Sequence, residues 1–197
     1  MRRATKKNPV VLPIKSNSTA TFEAILKATT NLIVDRGLYY FTSNEIAEEA
    51  GVAISSFYQY FYNKEAAINE VVKRFLVQDE VWFAELVNAC MSMEEILQGA
   101  QEIMRRDPKL RKEILLNAQD LIGAPRVLER RRRLAELIEP FMPAHKFKTK
   151  ARRRLGAQVV VHTFLSVEVG FMDVSPNDGE RAEIQKEISG IILSYLR

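Results

Sequence analysis

The sequence predicts an all-α protein of about nine helices, with a small N-terminal three-helix unit followed by a larger helical body. Three observations carry this expectation. Apolar residues recur at helical spacing almost throughout, and no convincing strand alternation interrupts them. Gly and Pro punctuation falls at intervals suited to helices of ordinary length. Thr42 and Glu45 stand at the spacing of a capping box, in which each side chain satisfies the other residue's backbone N–H.

Taken in order, the first helix is expected over 20–36, where Phe22, Ile25, Leu26, Leu32 and Ile33 form one apolar stripe and Gly37 ends it. The capping box starts a second helix at Ser43, flanked by Phe41 and Ile46 as a hydrophobic staple and stopped before Gly51. A short third helix covers about 54–60. Asn63 then caps a long fourth helix to about residue 89, with Ile68, Val71, Val72, Phe75 and Leu76 inward. Breaks at Ser92, Asp107-Pro108, Gly123 to Pro125, Pro140 to Pro143 and Ser175 to Asn177 leave helices near 93–106, 108–122, 125–139, 149–173 and 178–196.

Composition narrows the function classes. The 197 residues are 47% hydrophobic, enough for a sizeable core. No uninterrupted apolar run approaches the roughly 20 residues of a bilayer span, so a soluble, cytoplasmic protein without a membrane partner is expected. The basic start is followed by Val10 to Ile14, too short and Pro-broken for a signal h-region. One cysteine, Cys90, excludes an internal disulfide framework, and His145 and His162 lack metal-ligand spacing. With no Gly-rich phosphate loop and no nucleophile–base pattern, neither catalysis, metal nor cofactor is expected.

Charge is unevenly placed. The net charge is +4, yet residues 1–17 hold Arg2, Arg3, Lys6, Lys7 and Lys15 with no acid. This stretch reads as a flexible basic arm, ahead of a module over 18–64 and a body over 65–197. Residues 18–62 carry only Lys27 and Arg36 against Glu23, Asp35, Glu45, Glu48 and Glu49. The module is therefore net negative without its arm.

Ser43 to Tyr60 fits a helix-turn-helix. Ala47 is small where the two helices must approach, Gly51 supplies the turn, and Ile46, Val52 and Phe57 form a buried wedge. Such a pair presents its second helix to the DNA major groove. Within it, Ile46-Ala-Glu-Glu-Ala-Gly-Val52, Phe57-Tyr-Gln-Tyr-Phe61 and Asn63-Lys-Glu65 resemble the DNA-binding domain of the tetracycline-repressor (TetR) family. Thr42, Ile46, Ala47, Ala50, Gly51, Val52, Tyr58, Phe61, Lys64 and Glu65 match that pattern, over about residues 20–75. Ala53 and Ser55 depart from it, so the third helix lacks a side-chain cap.

The resemblance implies a transcriptional regulator, expected to be a repressor, that binds a near-palindromic double-stranded operator as a dimer. Expected DNA contacts are Thr42 and Lys64 on phosphates, with Ser43 beside Thr42, and Tyr58 and Tyr60 toward the backbone. Ile54, Ser55, Ser56 and Gln59 remain for base reading, where Gln59 has the groups to pair bidentately with adenine. Tyr62, outside the pattern, reads as packing or exposure.

The resemblance also implies a homodimer through the last two helices. From Leu155 to Met172 the chain is apolar on nearly all sides, with Gly156, Ala157, Ser166 and Gly170 allowing close approach. The last helix carries one stripe of Ile184, Ile188, Ile191 and Tyr195 and another of Ala182, Ser189, Leu193 and Leu196. A hydrophobic small-molecule effector is expected in the body, and Trp82, Phe83, Met104, Asn117, His162, Phe164 and Glu168 are its candidate contacts. The arginine runs Arg130 to Arg133 and Arg152 to Arg154 read as solvated faces or rim ion pairs. The competing reading is an all-helical small-molecule-binding protein whose helix-turn-helix no longer functions.

Overall fold

The computed structural model describes residues 10–12, 16–174 and 177–197, and ten α-helices run through them. The helices are α1 Ser16–Arg36, α2 Ser43–Glu49, α3 Ile54–Tyr60, α4 Lys64–Ala89, α5 Met93–Arg105, α6 Pro108–Leu116, α7 Ala118–Ile122, α8 Ala124–Ile138, α9 Lys150–Val174 and α10 Asp178–Leu196. A single 3-10 turn, Glu139–Phe141, follows α8. The chain divides into two compact units between Leu76 and Val77, inside α4. Most of the basic arm lies outside the described residues.

The expected boundaries hold within a few residues, with one exception. The helix expected over 108–122 is two helices, because Asn117 leaves the helical region at φ −102° and ψ 8°. Its Nδ2 donates to the Glu113 carbonyl at 2.7 Å, offering the backbone a side-chain partner in place of a continued helix.

In the first unit, α1 to α3 enclose an apolar centre. Phe22, Ile25, Ile33, Ile46, Phe57 and Phe61 are all but fully buried. The Phe22 and Phe61 rings stack at 5.1 Å, and Tyr60 meets Phe22 edge-on. Outside this centre, Arg74 ties α4 to α1. It donates to Glu23 at 2.7 Å while its guanidinium covers the Phe22 ring.

The second unit is built on α9. Its inner side, Val160, Val161 and Phe164, packs into a core with Leu134 and Ile138 of α8 and Ile96, Leu97 and Met104 of α5. Over Lys150–Met172 this helix is long and apolar enough, by length and composition, to cross a bilayer. Its neighbours explain the composition in part, since α8 and α10 both pack against it. Gly156 is buried against this chain's own Phe147, whose ring would lie 2.6 Å from an added Cβ. On α10 the buried line is Gln185, Ile188, Ile192 and Leu196, whereas Ile191 and Ala182 are exposed. Neither stripe expected from the sequence is buried as a whole.

Candidate nucleic-acid interface

The helix-turn-helix is set by contacts between near neighbours. Thr42 caps α2: its Oγ1 accepts from the Glu45 N–H at 3.3 Å, and its own N–H donates to Glu45 Oε2 at 2.8 Å. These bonds hold the Glu45 carboxyl below its ordinary range, helped by Arg36 at 2.5 Å. Gly51 takes φ +65°, and nothing lies within 4 Å of where its Cβ would stand. The turn thus needs glycine for its backbone and not for space. After it, the Val52 N–H returns to the Ala47 carbonyl at 2.9 Å. As expected for Ala53, α3 begins without a side-chain cap.

Burial then sorts the third helix. Phe57 is fully buried and locks α3 in place, while Ile54, Ser55, Tyr58 and Gln59 are exposed. The spacing of these four, 54/55 and 58/59, makes one helical face. Ser56 and Tyr60 are half-buried, and Tyr60 is committed to Phe22. Ser43, at the first turn of α2, is half-buried.

Two expected phosphate contacts have duties inside the module. The Lys64 ammonium donates to the Phe41 carbonyl at 2.8 Å and the Tyr39 carbonyl at 3.2 Å, clasping the loop between α1 and α2. It lies 5.6 Å from the Phe41 ring centre. Thr42 directs its hydroxyl, like its N–H, to Glu45 Oε2. The capping box was legible in sequence; the lysine clasp, joining residues more than twenty positions apart, was not.

Residues 25–71 match the family model described as bacterial regulatory proteins, tetR family. The match covers 47 of the 197 residues and assigns the helix-turn-helix unit to this family. No curated protein sequence matches the chain. Solved structures with the TetR-family fold include the fatty acid degradation regulator FadR from Bacillus halodurans, at 21% identity and a TM-score of 0.68, covering 88% of this chain and 94% of that one. A transcriptional regulator from Cytophaga hutchinsonii is similar at 19% identity and a TM-score of 0.69, covering 90% and 98%. The TetR-family repressor FadR from Thermus thermophilus, solved in complex with lauroyl-CoA, has 18% identity and a TM-score of 0.60, covering 87% and 93%. At these identities the likeness is one of fold.

The second unit holds an apolar cavity of about 50 Å³ between α4, α5, α8 and α9. Of the expected effector contacts, Phe83, Met104 and Phe164 line it. Trp82, Asn117, His162 and Glu168 do not. Trp82 is covered by the Arg106 guanidinium at 4.6 Å. Asn117 makes the break between α6 and α7. His162 faces Arg131 of α8, and burial together with that cation lowers its pKa. Glu168 is buried between α9 and α10, where it accepts from Gln185 Nε2 at 3.2 Å; burial raises its pKa.

One constellation escaped the sequence reading. Arg111 of α6 is fully buried and donates to Asp79 Oδ1 of α4 at 2.6 Å, and buried Arg130 of α8 donates to Asp79 Oδ2. Arg130 was expected on a solvated face or in a rim ion pair, and its burial on Asp79 corrects this. A signal existed in register, since Arg130, Leu134 and Ile138 are spaced i, i+4, i+8, and Asp79 falls on the line of Val72, Leu76 and Phe83. A charge on an apolar stripe marks a buried ion pair or a site. The other arginines of that run do sit at the surface, Arg132 on Glu129 and Arg133 on Glu80. Among the described residues no cluster of His, Cys, Asp or Glu has the arrangement of a metal site.

Proposed function

We propose that this protein is a dimeric TetR-family repressor that binds a near-palindromic operator and is released by a hydrophobic small molecule. The observation that carries the DNA half is the exposed α3 face of Ile54, Ser55, Tyr58 and Gln59, held outward by the fully buried Phe57. On this reading Gln59, Ser55 and Ile54 meet base edges, with Ser56 beside them. Tyr58 and Tyr60 reach the backbone, and Lys64 spends its third N–H on a phosphate. Thr42 contributes by fixing α2, with Ser43 at its first turn.

Support for the dimer comes from apolar surface left uncovered on the last two helices. Leu155 and Val159 of α9 are 61% and 41% exposed, and Ile191 of α10 is 62% exposed. Val167, Phe171, Ile184 and Ile191 line an open groove between these helices. A second copy meeting this surface would also account for an α9 that is apolar on nearly every side. The effector reading is supported by the apolar cavity beside α4, the helix that continues into the DNA-reading unit. An effector favouring a different position of α4 weakens operator binding, and by linkage the operator weakens effector binding equally.

The experiment is a gel shift against the DNA flanking the protein's own gene, followed by transcription from that promoter in vitro. A specific complex that lowers transcription is expected. Absence of a specific complex, with the protein folded, favours a binding protein whose helix-turn-helix is inert.

A further inference from the structure

The helix-turn-helix unit is poor in cations and rich in tyrosine. Residues 37–63 hold three glutamates and no lysine or arginine, yet five of the chain's six tyrosines lie between 39 and 62. A surface that meets duplex DNA needs hydrogen-bond donors for the phosphates, charged or not. Two donors expected there are already engaged. The Thr42 hydroxyl is committed to Glu45, and the Lys64 ammonium gives two of its three N–H groups to carbonyls.

Two tyrosines are free to supply what is missing. Tyr40 is 77% exposed and Tyr62 is 67% exposed, and neither hydroxyl has a partner among the described residues. Ring packing does not account for them either. Tyr60 meets Phe22 and Tyr58 meets Phe57, whereas Tyr40 and Tyr62 pack on no aromatic ring among the described residues.

Their places in the fold are fixed around Lys64. Its ammonium binds the carbonyls of Tyr39 and Phe41, the residues on either side of Tyr40, so the Tyr40 backbone is held one lysine side chain away from the start of α4. Tyr62 stands two residues before Lys64 and four after the exposed Tyr58, just past the end of α3. Tyr58, Tyr62, Lys64 and Tyr40 thus make one run that continues the exposed face of α3 to the loop between α1 and α2.

From these observations we infer that Tyr40 and Tyr62 bind the DNA backbone on either side of the Lys64 ammonium, each donating its phenol O–H to a phosphate oxygen. This rests on reading the unit as a DNA-binding helix-turn-helix and adds two contacts to it. A hydrogen bond to an ionised acceptor is roughly twice as strong as one between neutral groups. The phenol itself is neutral, so it releases none of the counterions that make cation contacts sensitive to salt. This part of the affinity therefore persists at ionic strengths that weaken the hold of a basic arm.

The test is a gel shift of the full chain on the duplex flanking its own gene, with Tyr40→Phe and Tyr62→Phe beside the wild type. Binding is measured at several salt concentrations and over a set of single-base operator variants, with thermal melts in parallel. Phenylalanine keeps the ring and removes only the donor. Each variant is expected to lose about tenfold in affinity, the worth of a hydrogen bond to a charged group, and to lose it uniformly over the base variants. The melting midpoint and the salt slope are expected to stay as in the wild type. Wild-type affinity in either variant overturns the contact for that tyrosine. A loss confined to one base pair overturns the phosphate as its partner, and a loss that follows a lower melting midpoint overturns the contact in favour of packing. If the folded wild-type chain forms no specific complex with this duplex, the DNA reading itself falls and both contacts fall with it.

Discussion

Arg111 Nη1 donates to Asp79 Oδ1 at 2.6 Å with the guanidinium wholly shielded from water, joining α6 to α4 across 32 positions of sequence. Removing one member of such a group costs more than removing all of it. Asp79→Ala leaves two buried arginines without their carboxylate, and a loss of about 3–5 kcal/mol is expected in urea unfolding. Replacing Asp79, Arg111 and Arg130 together by Leu, Met and Leu is expected to be neutral or stabilising by up to about 4 kcal/mol. A triple variant as unstable as the single one would show that the cluster holds the fold together.

Glu168 gives the second unit a pH signature. Its carboxyl is buried, and that burial raises its pKa above the unfolded value. The stability it contributes is full below the unfolded carboxylate pKa, about 4.3, and is lost as pH rises through the higher folded value. Glu168→Gln keeps an acceptor for Gln185 and never ionises. The variant is expected to melt with the wild type near pH 4 and above it at pH 7.5. Parallel curves of midpoint against pH would remove Glu168 as the source.

On α3, exposure separates reading from folding. Gln59→Ala is expected to weaken operator binding by about 1–3 kcal/mol and to relax preference at one base pair, with the melting midpoint unchanged. Phe57→Ala, at a fully buried site, is expected to destabilise the chain by about 3–5 kcal/mol. Gel shifts over a set of single-base operator variants, beside thermal melts, check both. A Gln59→Ala protein with full affinity and full base preference would move base reading elsewhere on the face.

The uncovered apolar positions of α9 and α10 carry the dimer prediction. A variant with both Val159→Asp and Ile191→Asp is expected to keep its helical circular dichroism and to halve its mass in light scattering. Its melting midpoint becomes independent of protein concentration, as for a monomer. A variant that remains a dimer would place the interface on other surfaces.

The basic arm has an anchor at its root. The Val11 N–H donates to the Tyr60 carbonyl at 2.9 Å, at the end of α3. Deleting residues 1–9 removes Arg2, Arg3, Lys6 and Lys7 and spares that bond. The salt dependence of operator binding is expected to flatten by about 0.9 in logarithmic slope for each phosphate that the arm had neutralised. An unchanged slope would mean that the net-negative module finds its phosphate attraction without the arm.

What the sequence determined by itself was whatever depends on residues a turn or two apart. The capping box of Thr42 and Glu45, the glycine turn at Gly51 and the Asn63 cap, which meets the Ala66 N–H at 2.9 Å, are interactions of short range, so local spacing spells them out. The same holds for the helix limits, and for Phe57 as the buried and Gln59 as the exposed side of α3. Tertiary structure alone decided which polar groups are shared between helices. Lys64 closes a loop that ends 23 residues before it, and Asp79 gathers arginines 32 and 51 positions away. Periodicity shows that a residue faces inward, but not which residue of another helix it meets there. For an apolar side chain that hardly matters, since many neighbours serve equally. For a buried charge the partner is everything, and the fold that turned the expected surface arginine Arg130 inward also put it beside the cavity.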